Sequence, residues 1–388
     1  MENTIAIIAV GYNRVSSISR LLNSLEAAKY EEDNIPLIIS IDKSDTAVVE
    51  DFADAFQWTH GRKIVDKHEI NLGLRNHMMS LRKWFDYYDA LIVLEDDIVV
   101  SPLFYSYVQQ CYDKYSSYDD IAGFSLYNFN VNYQTAEIFT PLKNEYDVYF
   151  MNCAMSWGEV WMKKQWMDFY QWYIEHQEFT YADNIPQAIC KWPKSSWLKY
   201  HTRYCIETNK YFVYPYVSFS TNNSDAGIHN NGVCPYLFQT ILQMGESMKL
   251  RFPDSDKQAI VYDGFFENKG LYEYLSLKEE ECCIDLNAQK NNREQKRFWL
   301  TTKKCDYKII KSYALTFRPI EMNIFMNTIG EEIFLYDTTI EEVNLSQKQY
   351  SELLYRHCIA NIVIFVRKYG FQKVLRDFLK MLKLKLVG

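Results

Sequence analysis

Through the first hundred positions apolar residues come in short unbroken runs, and polar residues gather where each run stops. Ile5 to Val10 is the first run, closed by the turn chemistry of Gly11-Tyr12-Asn13-Arg14. Ser16 then suits the N-cap of a helix whose apolar positions Ile18, Leu21, Leu22 and Leu25 keep helical spacing. Pro36 precedes a second run, Leu37 to Ile41, which stops at Asp42. A helical stretch around Val48 to Phe56 follows, then a short strand at Lys63-Ile64-Val65. Ala90 to Leu94 is the next apolar run, ending on Glu95-Asp96-Asp97 before Ile98-Val99-Val100 resume. Runs this short, without a visible period, read as strands buried on both faces. Their alternation with helices predicts βαβ units, hence an α/β fold with a mainly parallel central sheet.

In sheets of this kind ligands bind beyond the carboxyl ends of the strands. Arg14, Asp42 and the acids Glu95, Asp96 and Asp97 all stand at or just past such ends. Adjacent acids repel one another and resist burial, so they call for a cation or a network of donors. A hard divalent ion, Mg²⁺ or Mn²⁺, prefers oxygen ligands and commonly arrives with substrate phosphates. Taken by itself, the triplet also fits a solvated acidic turn. Charge at three separate strand ends argues against that.

The ordered set of segments resembles the GT-A-type glycosyltransferases, in the pattern of the N-acetylglucosaminyltransferase I group and of bacterial sugar transferases with a Glu-Asp-Asp signature. Ala9 to Arg14 resembles the first strand ending in Arg, and Ser40-Ile41-Asp42 the second, whose Asp contacts uracil. Asn71-Leu72-Gly73-Leu74-Arg75 resembles the loop and helix start bordering the nucleotide. Leu94-Glu95-Asp96-Asp97 resembles the metal-site triplet. Trp157 to Trp161 resembles the Trp-Gly segment behind the sugar pocket, and Ser195-Ser196-Trp197 and Tyr214 through His229 resemble later blocks of the bacterial relatives. The likeness runs from residue 4 to residue 232. It implies a GT-A, Rossmann-like catalytic domain over 1–235 and a smaller mixed α/β accessory region over 236–388.

The resemblance assigns roles. Asp97 is the direct metal ligand, and His229 a second one, which would favour Mn²⁺ over Mg²⁺. Glu95 and Asp96 hold sugar and ribose hydroxyls, Asp42 accepts a uracil or thymine N–H, and Arg14 and Arg75 meet phosphate or base oxygens. Asn71 and Gly73 complete the nucleotide-sugar set. Arg75 also fits an exposed helix-start residue paired with Glu69. Glycosyl transfer builds negative charge on the leaving phosphate, and a bound metal neutralises it. One departure stands out. Trp197 is followed by Leu198 and Lys199, where the N-acetylglucosaminyltransferase I group has acids, one of them the catalytic base. An inverting reaction, the favoured stereochemistry, then needs its base elsewhere, with Asp225, Glu159 and Asp183 as candidates.

The implied activity is a metal-dependent transfer of a sugar from a nucleotide-diphosphate donor, a uridine one by preference, to a glycan or lipid-linked glycan hydroxyl, as in bacterial surface polysaccharide or glycoconjugate assembly. Two alternatives are a nucleotide-sugar- or glycan-binding protein impaired in catalysis and a nucleotidyltransferase. Gly11-Tyr12-Asn13-Arg14 is a poor phosphate loop for the latter.

Composition narrows the setting. The net charge of −8 argues against nucleic acid as a partner. The 9 cysteines are irregularly spaced and read as reduced, mostly buried thiols. Neither a signal peptide nor a membrane span is legible, so a cytoplasmic location is expected. Trp157, Trp161, Trp166 and Trp172 suggest a helix packed on the core, with a ring or two lining the acceptor cleft. Past Pro235 the βαβ rhythm stops. Ser247 to Asn268 reads as loop, Arg297–Thr302, Lys308–Phe317 and Ile333–Tyr336 as strands, and Ser346 onward as helix. The basic amphipathic tail Val374 to Leu386 suits either peripheral contact with the inner membrane face or docking on protein.

Overall fold

A computed structural model describes residues 4–179, 182, 184–223, 238–290, 295–344, 366–367, 370–376 and 379. The strands are β1 (Ile5–Gly11), β2 (Leu37–Ile41), β3 (Lys63–Lys67), β4 (Ala90–Glu95), β5 (Ile98–Val100), β6 (Ile121–Ser125), β7 (Val131–Asn132), β8 (Glu137–Ile138), β9 (Val148–Met151), β10 (Glu159–Met162), β11 (Tyr211–Pro215), β12 (Ser220–Asn222), β13 (Val261–Tyr262), β14 (Cys282–Asp285), β15 (Phe298–Thr301), β16 (Tyr307–Tyr313) and β17 (Ile333–Glu341). The helices that matter here are α1 (Val15–Glu26), α2 (Val48–Ala55), α3 (Gly73–Ser80), α4 (Phe104–Tyr115), α5 (Lys163–Glu175), α6 (Gln187–Cys190) and α7 (Leu198–Glu207).

The expected α/β architecture is present. A nine-stranded sheet runs in the order β13-β9-β11-β6-β10-β4-β1-β2-β3. β3, β2, β1 and β4 are mutually parallel; β10 runs against both β4 and β6, and β6 and β11 are parallel. The sheet is therefore mainly parallel, with β10, β9 and β13 reversed. Burial on both faces explains the unbroken apolar runs. In β1, Ile5, Ile7 and Ala9 join the core under α1, α2 and α4, while Ala6, Ile8 and Val10 join the opposite core under α3, α5 and α7.

Three local expectations change. Arg14, not Ser16, is the N-cap of α1, although Ile18, Leu21, Leu22 and Leu25 are buried as their spacing predicts. The four tryptophans do not share one helix: Trp157 precedes β10, Trp161 lies within it, and Trp166 and Trp172 belong to α5. Nor does the central sheet stop at residue 235. Val261–Tyr262, inside the stretch read as loop, pairs with β9 and forms the sheet's edge. A four-stranded sheet, β14-β15-β17-β16, follows with its own apolar core around Ile284, Leu300 and Leu335. Most of the tail helix lies outside the described residues. Among the described residues no helix is long and apolar enough to cross a membrane.

Candidate active site

The order β2-β1-β4 places the turn after β1 beside the end of β4, with Val10 in register with Glu95. Chain connectivity reverses direction at this point, where open α/β sheets leave a crevice. Arg14 reaches across it. Its Nε donates to Asp96 Oδ2 at 3.1 Å, its Nη2 bonds Asp96 Oδ1, and Nη2 lies 3.7 Å from Asp97 Oδ2. Asp96 is buried, whereas Glu95 and Asp97 are half-buried. Burial first, then the charges of Asp97 and Asp96, push the Glu95 carboxyl up to about 8; a Ser156 hydrogen bond and Arg14 pull the other way. The triplet thus concentrates carboxylates at one strand end, where burial and mutual repulsion both disfavour the charged form of Glu95.

The second strand end has a different arrangement. Asp42 is 4% exposed. Its Oδ1 accepts the backbone N–H of Lys43 at 3.0 Å and of Leu72 at 2.8 Å, and its Oδ2 that of Gly73 at 2.9 Å. Asn71 Nδ2 donates to Lys43 O at 2.8 Å. Asp42 and Asn71 together tie the start of α3 to the end of β2. Gly73 opens that helix at φ +70, a left-handed conformation glycine adopts without strain. Arg75 donates from Nη1 to the Tyr200 hydroxyl at 3.0 Å. Beneath this loop, His77 Nε2 lies 2.8 Å from Ser40 Oγ. Burial, reinforced by neighbouring His68, lowers its pKa to about 4.

A third segment borders the triplet. β12 pairs with β5, and the Asn223 N–H donates to Asp97 O at 2.7 Å. Asn223 therefore stands beside the acids; Asp225 and His229 lie outside the described residues, as does Asp183. Gly158 (φ +98) packs where a Cβ would sit 2.9 Å from both Leu126 Cβ and Ser220 Oγ. Glu159 faces inward: it is fully buried, with Oε1 2.7 Å from Nδ1 of equally enclosed His201. Trp161, Trp166 and Trp197 are core residues, the first two stacked with centroids 3.6 Å apart. They line no open cleft.

Among the described residues no three His, Cys, Asp or Glu side chains converge as a metal cage. The donors at the triplet are all carboxylate oxygens, which suit Mg²⁺ or Mn²⁺, and such ions ordinarily take one or two carboxylates with phosphates and water supplying the rest. The structure thus brings together Arg14, Glu95, Asp96 and Asp97, and separately Asp42, Asn71, Gly73 and Arg75. Ser156 and Tyr200, neither singled out by sequence, join these groups through single hydrogen bonds that no spacing rule announces.

No family model matches the chain, and no curated protein matches it. Among solved structures, TarS 1-349 from S. aureus shares 10% identity over 58% of this chain and 61% of its own, with a TM-score of 0.37. The same protein in complex with UDP-GlcNAc matches at 12% identity, 43% and 47% coverage and a TM-score of 0.33. The mannosyltransferase PcManGT from Pyrobaculum calidifontis, in complex with GDP-Man and Mn²⁺, matches at 9% identity, 56% and 58% coverage and a TM-score of 0.35. Each match spans less than two thirds of the neighbour's length.

Proposed function

We propose that this protein is a metal-dependent glycosyltransferase that takes a uridine-diphosphate sugar and transfers the sugar to a hydroxyl of a glycan or lipid-linked glycan. The observation that carries the reading is the acidic triplet at the carboxyl end of β4, faced by Arg14 across the crevice beside β1. Three adjacent carboxylates at one strand end, where burial and then the charges of Asp97 and Asp96 push Glu95 up to about 8, favour a cation between them and a phosphate-bearing ligand.

Asp97 would hold the metal, with His229 as its second protein ligand, and Glu95 would meet sugar or ribose hydroxyls. When bound, the metal offsets the charge that develops on the leaving diphosphate. The chain's own groups do the rest. Asp96, oriented by the Arg14 fork, accepts hydroxyls of the ribose or sugar. Asp42 fixes the loop over the nucleotide; a carboxylate offers roughly four lone-pair sites, so acceptor capacity remains beyond three N–H groups for a uracil N–H. Asp225 and Asp183 remain the candidate bases. Sealed against His201, Glu159 serves the core instead. That observation keeps one second reading, a nucleotide-sugar-binding protein without turnover. In the tail, Phe371, Leu375 and Leu379 are exposed at helical spacing, which supports membrane contact; sedimentation with anionic vesicles tests it.

The transferase reading is tested by melting the full chain with a panel of nucleotide sugars, with and without Mn²⁺, and by following donor hydrolysis. Metal-dependent stabilisation by a uridine donor with slow hydrolysis supports it. Stabilisation without any hydrolysis supports the binding protein. No response to any donor contradicts both.

A further inference from the structure

α7 carries Lys199 and Arg203 four residues apart on one face. Both are enclosed, at 4% and 8% exposure. Like charges at this spacing repel, and buried cations require a counter-charge. Arg203 Nε pairs with Glu207 at 2.7 Å, but its Nη1 is buried without a partner. Lys199 Nζ donates to Trp192 O at 3.2 Å and meets no carboxylate among the described residues. Arg75 comes from α3 to the same place through Tyr200. Two rings frame the group: Phe179 has Lys199 Nζ 4.5 Å and Arg203 Cζ 5.4 Å from its centroid, and Tyr200 has Arg75 Cζ at 5.5 Å and Lys199 Nζ at 5.7 Å. Burial first, then the charges of Arg75 and Lys194, hold the Lys199 ammonium below its ordinary pKa. Ring faces offset part of this charge. They leave the Arg203 Nη1 donor unsatisfied.

We propose that Arg75, Lys199 and Arg203 form a subsite for a phosphate group of the substrate, an inference whose choice of substrate rests on the transferase reading above. A phosphate presents several acceptor oxygens at once, which suits two planar guanidinium forks and an ammonium approaching from different elements. Lys199 also sits in the first turn of α7, where free backbone N–H groups favour negative charge. The phosphate has two possible sources, the diphosphate of the nucleotide donor or a phosphate borne by an anionic glycan acceptor.

The test is a melt of the full chain in inorganic phosphate and pyrophosphate against sodium chloride of equal ionic strength, for wild type, Lys199→Met, Arg203→Met and Arg75→Met. Methionine keeps the apolar stems, and the half-buried Arg75 supplies a variant that folds if the two buried ones do not. Phosphate should raise the wild-type midpoint by about 2 °C or more, with most of that shift lost in the folded variants. Calorimetry with UDP in the presence of Mn²⁺ separates the sources. A loss of about tenfold in UDP affinity in Lys199→Met assigns the site to the donor, and an affinity within about twofold of wild type assigns it to the acceptor. If UDP fails to bind wild type while the phosphate shift still tracks Lys199, the transferase reading falls and the subsite stands. A wild type indifferent to phosphate, or a shift that survives in all folded variants, overturns the proposal.

Discussion

Asp42 at the end of β2 accepts the backbone N–H of Gly73 at 2.9 Å, across thirty-one positions of sequence. With the bonds from Lys43 and Leu72, this one carboxylate satisfies three backbone donors and sets where α3 begins. The helix start and the strand end thus form one rigid border to the crevice, on the side of β1 opposite the acids of β4.

Replacing Asp42 by alanine leaves those N–H groups without their acceptor. Asp42→Ala should lose about 2 kcal/mol of stability in urea unfolding and weaken UDP binding in the folded fraction. Unchanged stability would mean that water replaces the carboxylate without cost.

His77 ties stability to acid pH. Burial, then His68, holds its folded pKa near 4 against the 6.5 ordinary for histidine. The unfolded chain therefore binds more protons between these values, so the contribution of neutral His77 is complete above 6.5 and lost as pH falls toward 4. Between pH 7.5 and pH 4 wild type should lose about 3 kcal/mol more than His77→Asn. Chemical unfolding of both proteins across this range measures the difference; parallel curves would show that His77 does not titrate in this way.

Glu267 has the opposite sign. Burial, then Asp263 and Asp285, pushes its carboxyl up to about 8, and its Oε2 has no partner. A raised folded pKa favours the protonated fold, so the stability it confers is full below the ordinary carboxylate value and disappears as pH rises through about 8. Glu267→Gln keeps an acceptor for the Asn287 N–H without that penalty. It should gain about 4 kcal/mol over wild type at pH 8.5 and about 1 kcal/mol at pH 5.

The first half of the central sheet was legible because strands buried on both faces are written as short apolar runs: β1, β2 and β4 fall where Ile5–Val10, Leu37–Ile41 and Ala90–Leu94 predict. β10 was not. Its four residues carry Trp161, whose distance from Trp157 resembles helical spacing, yet Trp161 lies in a strand and its ring stacks on Trp166 across the strand–helix junction. Val261–Tyr262 hid in a polar stretch because a two-residue edge strand has no period to detect. The acids of β4 were legible as a cluster. The fork from Arg14 to Asp96, eighty-two positions apart, depends on the sheet order that only folding supplies. The Lys199–Arg203 pair did leave a signal, two cations four apart in a helix, but their burial was not readable from it.

The central claim is that Asp97 binds a divalent metal that in turn holds a nucleotide diphosphate. Its most direct test is calorimetric titration of UDP into the full chain with and without Mn²⁺, for wild type and Asp97→Asn. The account predicts binding that requires Mn²⁺ in wild type and falls by at least about tenfold in Asp97→Asn, a loss of about 1.4 kcal/mol or more, with the melting temperature of the free protein unchanged. UDP affinity indifferent both to Mn²⁺ and to Asp97→Asn would contradict it.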